Sequence, residues 1–103
     1  MKQYDWNKEK NEWLRMDRDI SFENIIYHLD HDGLLVDHDG LLDTIEHPNK
    51  ERYPDQRIFI VNVEGYVHLV PFVETEDTIF LKTIIPSRKM TKLYLGDDKN
   101  EIK

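Results

Sequence analysis

Three runs of mostly apolar residues follow one another in the second half of the chain, at residues 57–63, 66–73 and 78–85. Each run is rich in β-branched and aromatic residues, which favours extended strands. Glu64-Gly65 separates the first two runs and residues 74–77 separate the last two, and both connections are typical of turns. The pattern therefore predicts an antiparallel meander of three strands.

The beginning of the chain predicts two helices. The first opens at Asp5-Trp6-Asn7, where Asp5 or Asn7 caps it, and carries a narrow apolar face that includes Trp13. It ends near Asp19, and Ser21 caps a second helix. The apolar positions of that second helix recur at helical spacing: Phe22, Ile25, Ile26 and Leu29.

A short stretch between the helices and the meander is duplicated. Residues 30–36 and 37–43 both begin Asp-His-Asp-Gly-Leu-Leu. Two copies are too few for a solenoid, and the glycines disfavour a continuous helix. We expect the extra copy to lengthen the connection from the second helix to a short first strand at residues 41–45.

The remaining segments complete a single small domain. Residues 47–55 predict a loop bounded by prolines, residues 88–95 a short basic helix after Pro86-Ser87, and residues 97–103 a polar tail. The order α-α-β-β-β-β-α predicts an α+β fold with two N-terminal helices, a four-stranded and mainly antiparallel sheet, and a C-terminal helix. At 103 residues the chain has the length of one domain.

Composition narrows the class of protein. The absence of cysteine excludes disulfides and cysteine-based zinc sites. No apolar leader or membrane-length apolar run is present, so we expect a cytoplasmic protein. The net charge of −7 argues against nucleic-acid binding by the whole surface. Residues 79–96 nevertheless contain no acidic residue, and an anionic partner would explain their four cations: Lys82, Arg88, Lys89 and Lys92.

Two motifs resemble the BrnT family of toxins from bacterial type II toxin–antitoxin systems. The first is Tyr4-Asp5-Trp6-Asn7 with Lys10-Asn11 and Ile20-Ser21-Phe22-Glu23, and the second is residues 84–91, Ile-Ile-Pro-Ser-Arg-Lys-Met-Thr. The resemblance spans roughly residues 4–95. It implies a small RelE-like endoribonuclease that inhibits translation and is neutralised, in a toxin–antitoxin hetero-oligomer, by a cognate antitoxin protein. The chain departs from the family pattern at Arg18-Asp19 and at Phe72, where the family commonly has histidines.

RNA cleavage of the kind implied needs a base for the 2′-hydroxyl, cations for the developing phosphorane charge and an acid for the 5′-oxygen, with no metal or other cofactor. We take His47 as the acid or base because its pKa ordinarily lies near neutrality. Glu74 or Glu51 replaces it if burial raises the carboxyl pKa. The candidate catalytic residues are thus His47, Arg57, Arg88 and Glu74, with RNA contacts from Lys82, Lys89 and Lys92.

Other interpretations stay open at this point. Arg57 and Glu74 can form an ordinary cross-strand ion pair, and Arg88 and Lys89 can be solvated residues of a helix's first turn. His68 lies inside a predicted strand and is more typical of a half-buried structural residue. The Asp-His-Asp-Gly copies contain only a fragment of a calcium-loop pattern. The domain can also be a non-catalytic interaction module that keeps the fold and the antitoxin-binding surface.

Overall fold

The computed structural model describes residues 2–30 and 40–96. Over these residues the elements are, in chain order, β1 (Gln3–Trp6), α1 (Lys8–Arg18), α2 (Phe22–Asp30), β2 (Gly40–Glu46), β3 (Gln56–Val63), β4 (Tyr66–Glu74), β5 (Thr78–Leu81), β6 (Ile85–Pro86) and α3 (Arg88–Leu95). The predicted α+β class is confirmed, with three helices and six strands in the described part. None of the described helices is long and apolar enough to cross a membrane.

The strands form one mixed sheet in the order β1-β5-β4-β3-β2, with β6 also paired to β4. The β3–β4 and β4–β5 pairs are antiparallel, as the meander predicts, and β2 adds antiparallel to β3. Strand β1 lies parallel to β5. A type I′ turn joins β3 to β4, because Glu64 and Gly65 both have positive φ, at 54° and 89°.

The prediction that Asp5-Trp6-Asn7 opens a helix is wrong in part. Asp5 and Trp6 belong to β1, and α1 begins only at Lys8. Asn7 is the cap, because its side-chain oxygen accepts a hydrogen bond from the backbone N–H of Lys10 at 2.9 Å. The chain therefore begins with a strand, and the predicted order and strand number are corrected at this end.

The predicted strand at residues 78–85 is divided into β5 and β6. Leu81 faces Phe72 in one ladder and Ile85 faces Leu69 in the other, which leaves one extra residue on the β5–β6 side. Pro71 lies opposite the break. Its carbonyl accepts from the backbone N–H of Lys82 at 2.8 Å, but a proline has no N–H to return. The ladder therefore breaks beside Pro71, and the change of register turns Ile84 into the core.

The core lies between α1, α2 and one face of the sheet. Its buried members come from both helices and from β3 to β5 and the segment after β5: Leu14, Ile20, Phe22, Ile25, Phe59, Val61, Val70, Phe72, Leu81 and Ile84. The rings of Phe59 and Phe72 stack with centroids 3.9 Å apart. Trp6 stacks on Phe22 at 5.7 Å and so joins β1 to α2. Helix α3 packs mainly against β4.

The predicted cap of α2 at Ser21 is confirmed, and the structure adds a cap of α3 at Ser87. The hydroxyl of Ser21 accepts from the N–H of Asn24 at 3.2 Å, and that of Ser87 accepts from the N–H of Met90 at 3.1 Å. The duplicated heptad is described only at its ends. Asp30 closes α2, and the last four residues of the second copy form the start of β2. The rest of the heptad and the tail at residues 97–103 lie outside the described residues.

Candidate functional site

Three of the predicted catalytic residues lie at one end of the sheet, where the described contacts join Arg57 to Glu74 but not to His47. Arg57 lies near the start of β3, between Glu46 of β2 and Phe72 of β4. Glu74 ends β4, and His47 directly follows β2, where its backbone N–H donates to the carbonyl of Gln56 at 3.2 Å. We call His47, Arg57 and Glu74 the sheet-end cluster.

Arg57 and Glu74 form the ion pair that the sequence left open. The Nη2 group of Arg57 donates to Glu74 Oε1, and Lys2 Nζ donates to Glu74 Oε2 at 2.6 Å. The guanidinium lies over the ring of Phe72, 5.2 Å from its centroid. The hydrogen bond from Lys2, with the charges of Lys2 and Arg57, lowers the pKa of Glu74. Glu74 is therefore an ionised carboxylate at neutral pH, and the condition on which it would replace His47, a carboxyl pKa raised by burial, is not met.

His47 lies in the loop that the sequence predicted. Its Nδ1 accepts a hydrogen bond from the backbone N–H of Asn49 at 3.0 Å, and its ring rests against Tyr53 with centroids 4.5 Å apart. Because Nδ1 is the acceptor, the neutral ring carries its proton on Nε2. Glu51 is an exposed residue of the same loop.

The predicted cations Arg88, Lys89 and Lys92 are exposed on α3. The N–H of Ser87 donates to the carbonyl of Val67 at 3.0 Å, which fixes the start of α3 beside the start of β4. The far end of α3 reaches β2, where the hydroxyl of Tyr94 donates to Asp43 at 2.9 Å and this bond raises the Tyr94 pKa. Helix α3 thus crosses the sheet near the β3–β4 turn.

The structure does not bring Arg57 and Arg88 together. Arg57 faces Phe72, whereas α3 starts beside Val67, five residues earlier on β4. At about 3.4 Å per residue these positions lie roughly 17 Å apart along the strand. Side-chain alternation also places Arg57 on the face that packs against α1 and α2, while α3 reaches Asp43 on the opposite face. Arg57 and Arg88, which the sequence predicts to be members of one catalytic site, are therefore separated in the structure.

Lys82 lies between the two groups of residues. It is exposed directly after β5, and its ammonium group lies 5.4 Å from the centroid of the Phe80 ring. Arg57 is held in an ion pair, but the structure shows no ion pair for Lys82, Arg88, Lys89 or Lys92 within the residues it describes. Within the described residues, no ion pair has to break before these four cations bind an anionic partner.

Sequence reasoning missed a contact between two aromatic rings on β4, Tyr66 and His68. His68 faces Pro86 across the β4–β6 ladder, and its ring contacts that of Tyr66 at 5.8 Å. Burial, with a smaller contribution from the charge of His28, lowers the pKa of His68. The expectation of a half-buried residue is correct, but the sequence carries no signal that brings α2 and β6 to its two sides.

Several residues of the first motif meet where α1 joins α2. Asn11 is buried; its side-chain oxygen accepts from the N–H of Phe22 at 2.8 Å, and its Nδ2 donates to Glu23 at 2.9 Å. In the second motif, Ser87 caps α3 and Ile84 is buried in the core. The motifs that carry the family resemblance thus have direct roles in holding this fold.

No family model, curated protein or solved structure matches this chain. In the described ranges, histidine and carboxylate side chains do not gather in any group of three or more that could hold a metal ion. The Asp-His-Asp copies of the duplicated heptad fall largely outside those ranges.

Proposed function

We propose that the protein is a BrnT-like toxin, a metal-independent endoribonuclease that cleaves RNA, inhibits translation and is neutralised by a cognate antitoxin. The observation that carries this proposal is the sheet-end cluster, in which His47, Arg57 and Glu74 occupy the same end of three adjacent strands. The two motifs support it, because their residues build the frame that positions this sheet.

The sheet-end cluster supplies the three groups that the reaction needs. Glu74 is ionised and is the group positioned to accept the proton of the ribose 2′-hydroxyl, but Lys2 and Arg57 lower its pKa and so make it a weak base. Within the described residues Arg57 donates one of its five N–H groups to Glu74. Other N–H groups of its guanidinium bind the phosphate as negative charge develops on the phosphate oxygens. We assign to His47 the proton that goes to the departing 5′-oxygen; His47 donates it from Nε2 as the imidazolium, after Nδ1 has given up its hydrogen bond from Asn49 and taken a proton.

The cations of α3 take a different role in this proposal. Arg88 lies at the other end of β4, so we assign it phosphate binding rather than catalysis. Lys82, Lys89 and Lys92 contribute further backbone contacts, which add affinity without selecting a sequence. The RNA would therefore contact both faces of the sheet: its phosphates bind at α3, and cleavage takes place at the sheet-end cluster on the other face.

Induced expression in a host that lacks the antitoxin tests this function. We expect growth arrest and fragmented cellular RNA from the wild type. The Arg57→Ala variant should lower the cleavage rate about 100-fold or more, because it removes a preorganised phosphate donor. Arg57→Lys keeps the charge but loses the planar guanidinium, so its cleavage rate should lie between the rates of the wild type and of Arg57→Ala.

The matched control is Arg15→Ala. Arg15 also belongs to an exposed ion pair, with Glu23 at 3.4 Å, but it lies on α1 away from the cluster. This variant should remain toxic, and circular dichroism should show all variants folded. A soluble, folded wild type that leaves growth and RNA unchanged contradicts the ribonuclease proposal.

A non-catalytic interaction module is the second candidate. The observation that favours it is the closed network of the cluster, in which Glu74 binds Lys2 and Arg57 together while Arg57 also covers Phe72. In this arrangement Glu74 and Arg57 can serve to hold the end of the sheet together, without any part in catalysis. An inert wild type that still forms a complex with an antitoxin would establish this candidate.

A further inference from the structure

The sheet has two outer edges, each formed by a strand with a single neighbour among the described residues. In the order β1-β5-β4-β3-β2, strand β1 forms one edge and β2 the other. An edge strand turns half of its backbone N–H and C=O groups away from the sheet, where a strand of another molecule can bind them. Strand β2 is the longer of the two, with seven residues against four. Its outer side, which we call the β2 edge, therefore offers the larger surface for strand addition.

The ladder between β2 and β3 shows which backbone groups point outward at the β2 edge. The N–H of His47 donates to the carbonyl of Gln56 at 3.2 Å, so His47 turns its backbone towards β3. Because this direction alternates along an antiparallel pair, Asp43 also turns its backbone inward, whereas Thr44 and Glu46 turn theirs outward. The N–H of Thr44 is thus a donor that an added strand would use.

A carboxylate already occupies this outward N–H. Asp43 Oδ1 accepts a hydrogen bond from the N–H of Thr44 at 2.8 Å. Asp43 Oδ2 accepts from the hydroxyl of Tyr94 at 2.9 Å, so the end of α3 holds the carboxylate in place. The occupied N–H and the negative charge both oppose a strand that approaches the β2 edge.

The opposite edge of the sheet has the same arrangement. In β1 the N–H of Gln3 donates to the carbonyl of Asp77 at 3.0 Å, so Gln3 turns its backbone inward and, by alternation, Trp6 turns its backbone outward. Asp5 Oδ1 accepts from the N–H of Trp6 at 2.8 Å. On both edge strands, an aspartate therefore covers the outward N–H of the residue that follows it.

The partner that fits the β2 edge is a second copy of this chain. When two β2 strands pair antiparallel about a two-fold axis at Thr44, the two Thr44 residues lie opposite each other and exchange two N–H···O=C hydrogen bonds. The same register places Asp43 of each copy opposite Ile45 of the other, so like charges do not lie directly opposite each other there. The carboxylate of Asp43 blocks this pairing, because it occupies the N–H at its centre.

We propose that Asp43, held by Tyr94, closes the β2 edge against strand addition by a second copy of this chain. Removing the carboxylate frees the N–H of Thr44 and leaves the other outward backbone groups of β2 unchanged. This role is independent of the proposed function, since it involves neither the sheet-end cluster nor the cations of α3.

Size-exclusion chromatography with light scattering, over a range of protein concentrations, tests this role with Asp43→Ala. The variant should dimerise about tenfold to a hundredfold more tightly than the wild type, because two hydrogen bonds between the copies become available. Hydrogen exchange gives a second readout, since the amide of Thr44 in the variant should gain protection as the concentration rises.

Three further variants separate the hydrogen bond from the charge. Asp43→Asn loses the charge but keeps a side-chain oxygen that can accept from Thr44, so it should dimerise less tightly than Asp43→Ala. Glu46→Ala is the matched control: it also removes a carboxylate from β2, one that pairs with Lys50 at 3.6 Å, and it should associate as the wild type does. Tyr94→Phe keeps Asp43 but removes the hydroxyl that holds it, so its association should lie between those of the wild type and Asp43→Ala.

A folded Asp43→Ala variant that associates no more tightly than the wild type would overturn the proposal. Equal association of Asp43→Ala and Glu46→Ala would also overturn it, because lost charge alone would then explain the effect. Dimers in which the amide of Thr44 gains no protection would place the contact elsewhere, with the same consequence. If circular dichroism shows Asp43→Ala unfolded, Tyr94→Phe decides, and its association at the wild-type level would refute the role of Asp43.

Discussion

At the scale of single residues, Asn11 shows how a motif residue acts in this fold. Its amide uses both ends, because the oxygen accepts from Phe22 and the nitrogen donates to Glu23. The first bond satisfies a backbone N–H at the start of α2 that has no partner within the helix. The second, with other hydrogen bonds and Arg15, lowers the pKa of Glu23.

Asn11→Ala should destabilise the protein by about 1–3 kcal/mol, because it leaves the buried N–H of Phe22 without its acceptor. The free energy of unfolding in urea measures the loss. Glu12→Ala on the same helix is the control, and as an exposed position it should change stability by less than about 0.5 kcal/mol. Equal unfolding midpoints for the two variants would show that Asn11 does not hold the helices together.

Sequence reasoning finds caps more easily than it finds such bridges. Asn7, Ser21 and Ser87 are bonded to residues three positions later, so a local pattern is enough to predict them. The partners of Asn11 lie 11 and 12 residues away, across a helix end. The same limit applied to Arg57, whose pairing with Glu74 was one of two open interpretations.

At the scale of elements, the meander was predictable because its strands are neighbours in sequence and their turns carry Glu64-Gly65 and similar signals. Strand β1 was not, because it has four residues and pairs with β5, about 75 positions later. The division of β5 from β6 depends on Pro71 in the neighbouring strand. A proline within a predicted strand indicates a missing hydrogen bond, but not the side on which it is missing.

Thr91 attaches α3 to the sheet and offers a test at this scale. Its hydroxyl donates to the Ser87 carbonyl at 2.7 Å and accepts from the backbone N–H of Val67 at 2.8 Å. Thr91→Val keeps the shape but leaves that N–H unpaired, so we expect a loss of about 1–3 kcal/mol in urea unfolding.

Hydrogen exchange provides a second readout of the same variant, since the amide of Val67 should lose protection. Thr83→Val is the control; Thr83 is also half-buried, but its hydroxyl makes no hydrogen bond in the described structure. If both valine variants unfold alike, the hydroxyl of Thr91 does not anchor α3.

At the scale of the whole molecule, the fold class followed from the pattern but the arrangement of the cations did not. Strand β4 begins beside the start of α3 and ends at Glu74 of the sheet-end cluster. The length of β4 therefore separates the cations of α3 from Arg57. The sequence between Arg57 and Arg88 contains no pattern that predicts on which face of the sheet α3 packs. Charge counting therefore identifies four exposed cations, but it does not show how far α3 lies from Arg57.

The free energy of unfolding should fall in two steps as the pH is lowered. Burial lowers the pKa of His68 in the folded state below the ordinary 6.5, so the unfolded chain takes up its proton first. His68 therefore makes its full contribution to the free energy of unfolding above pH 6.5. That contribution is lost as the pH falls from 6.5 to the lowered pKa of the folded state. Glu23 and Glu74 have pKa values lowered from 4.5, so their contributions are lost at more acidic pH.

Urea unfolding across a pH series measures both steps, and His68→Gln should remove the upper one alone. The variant is needed because acidification also reduces the net charge of −7, which relieves repulsion and opposes the loss. Wild type and variant share that effect, so the difference between their curves isolates the imidazole. The difference in free energy of unfolding between wild type and variant should narrow as the pH falls from 6.5, because the unfolded wild type takes up the His68 proton more readily than the folded wild type does. A difference that stays constant across the series would mean that His68 has the same pKa in the folded and unfolded chains.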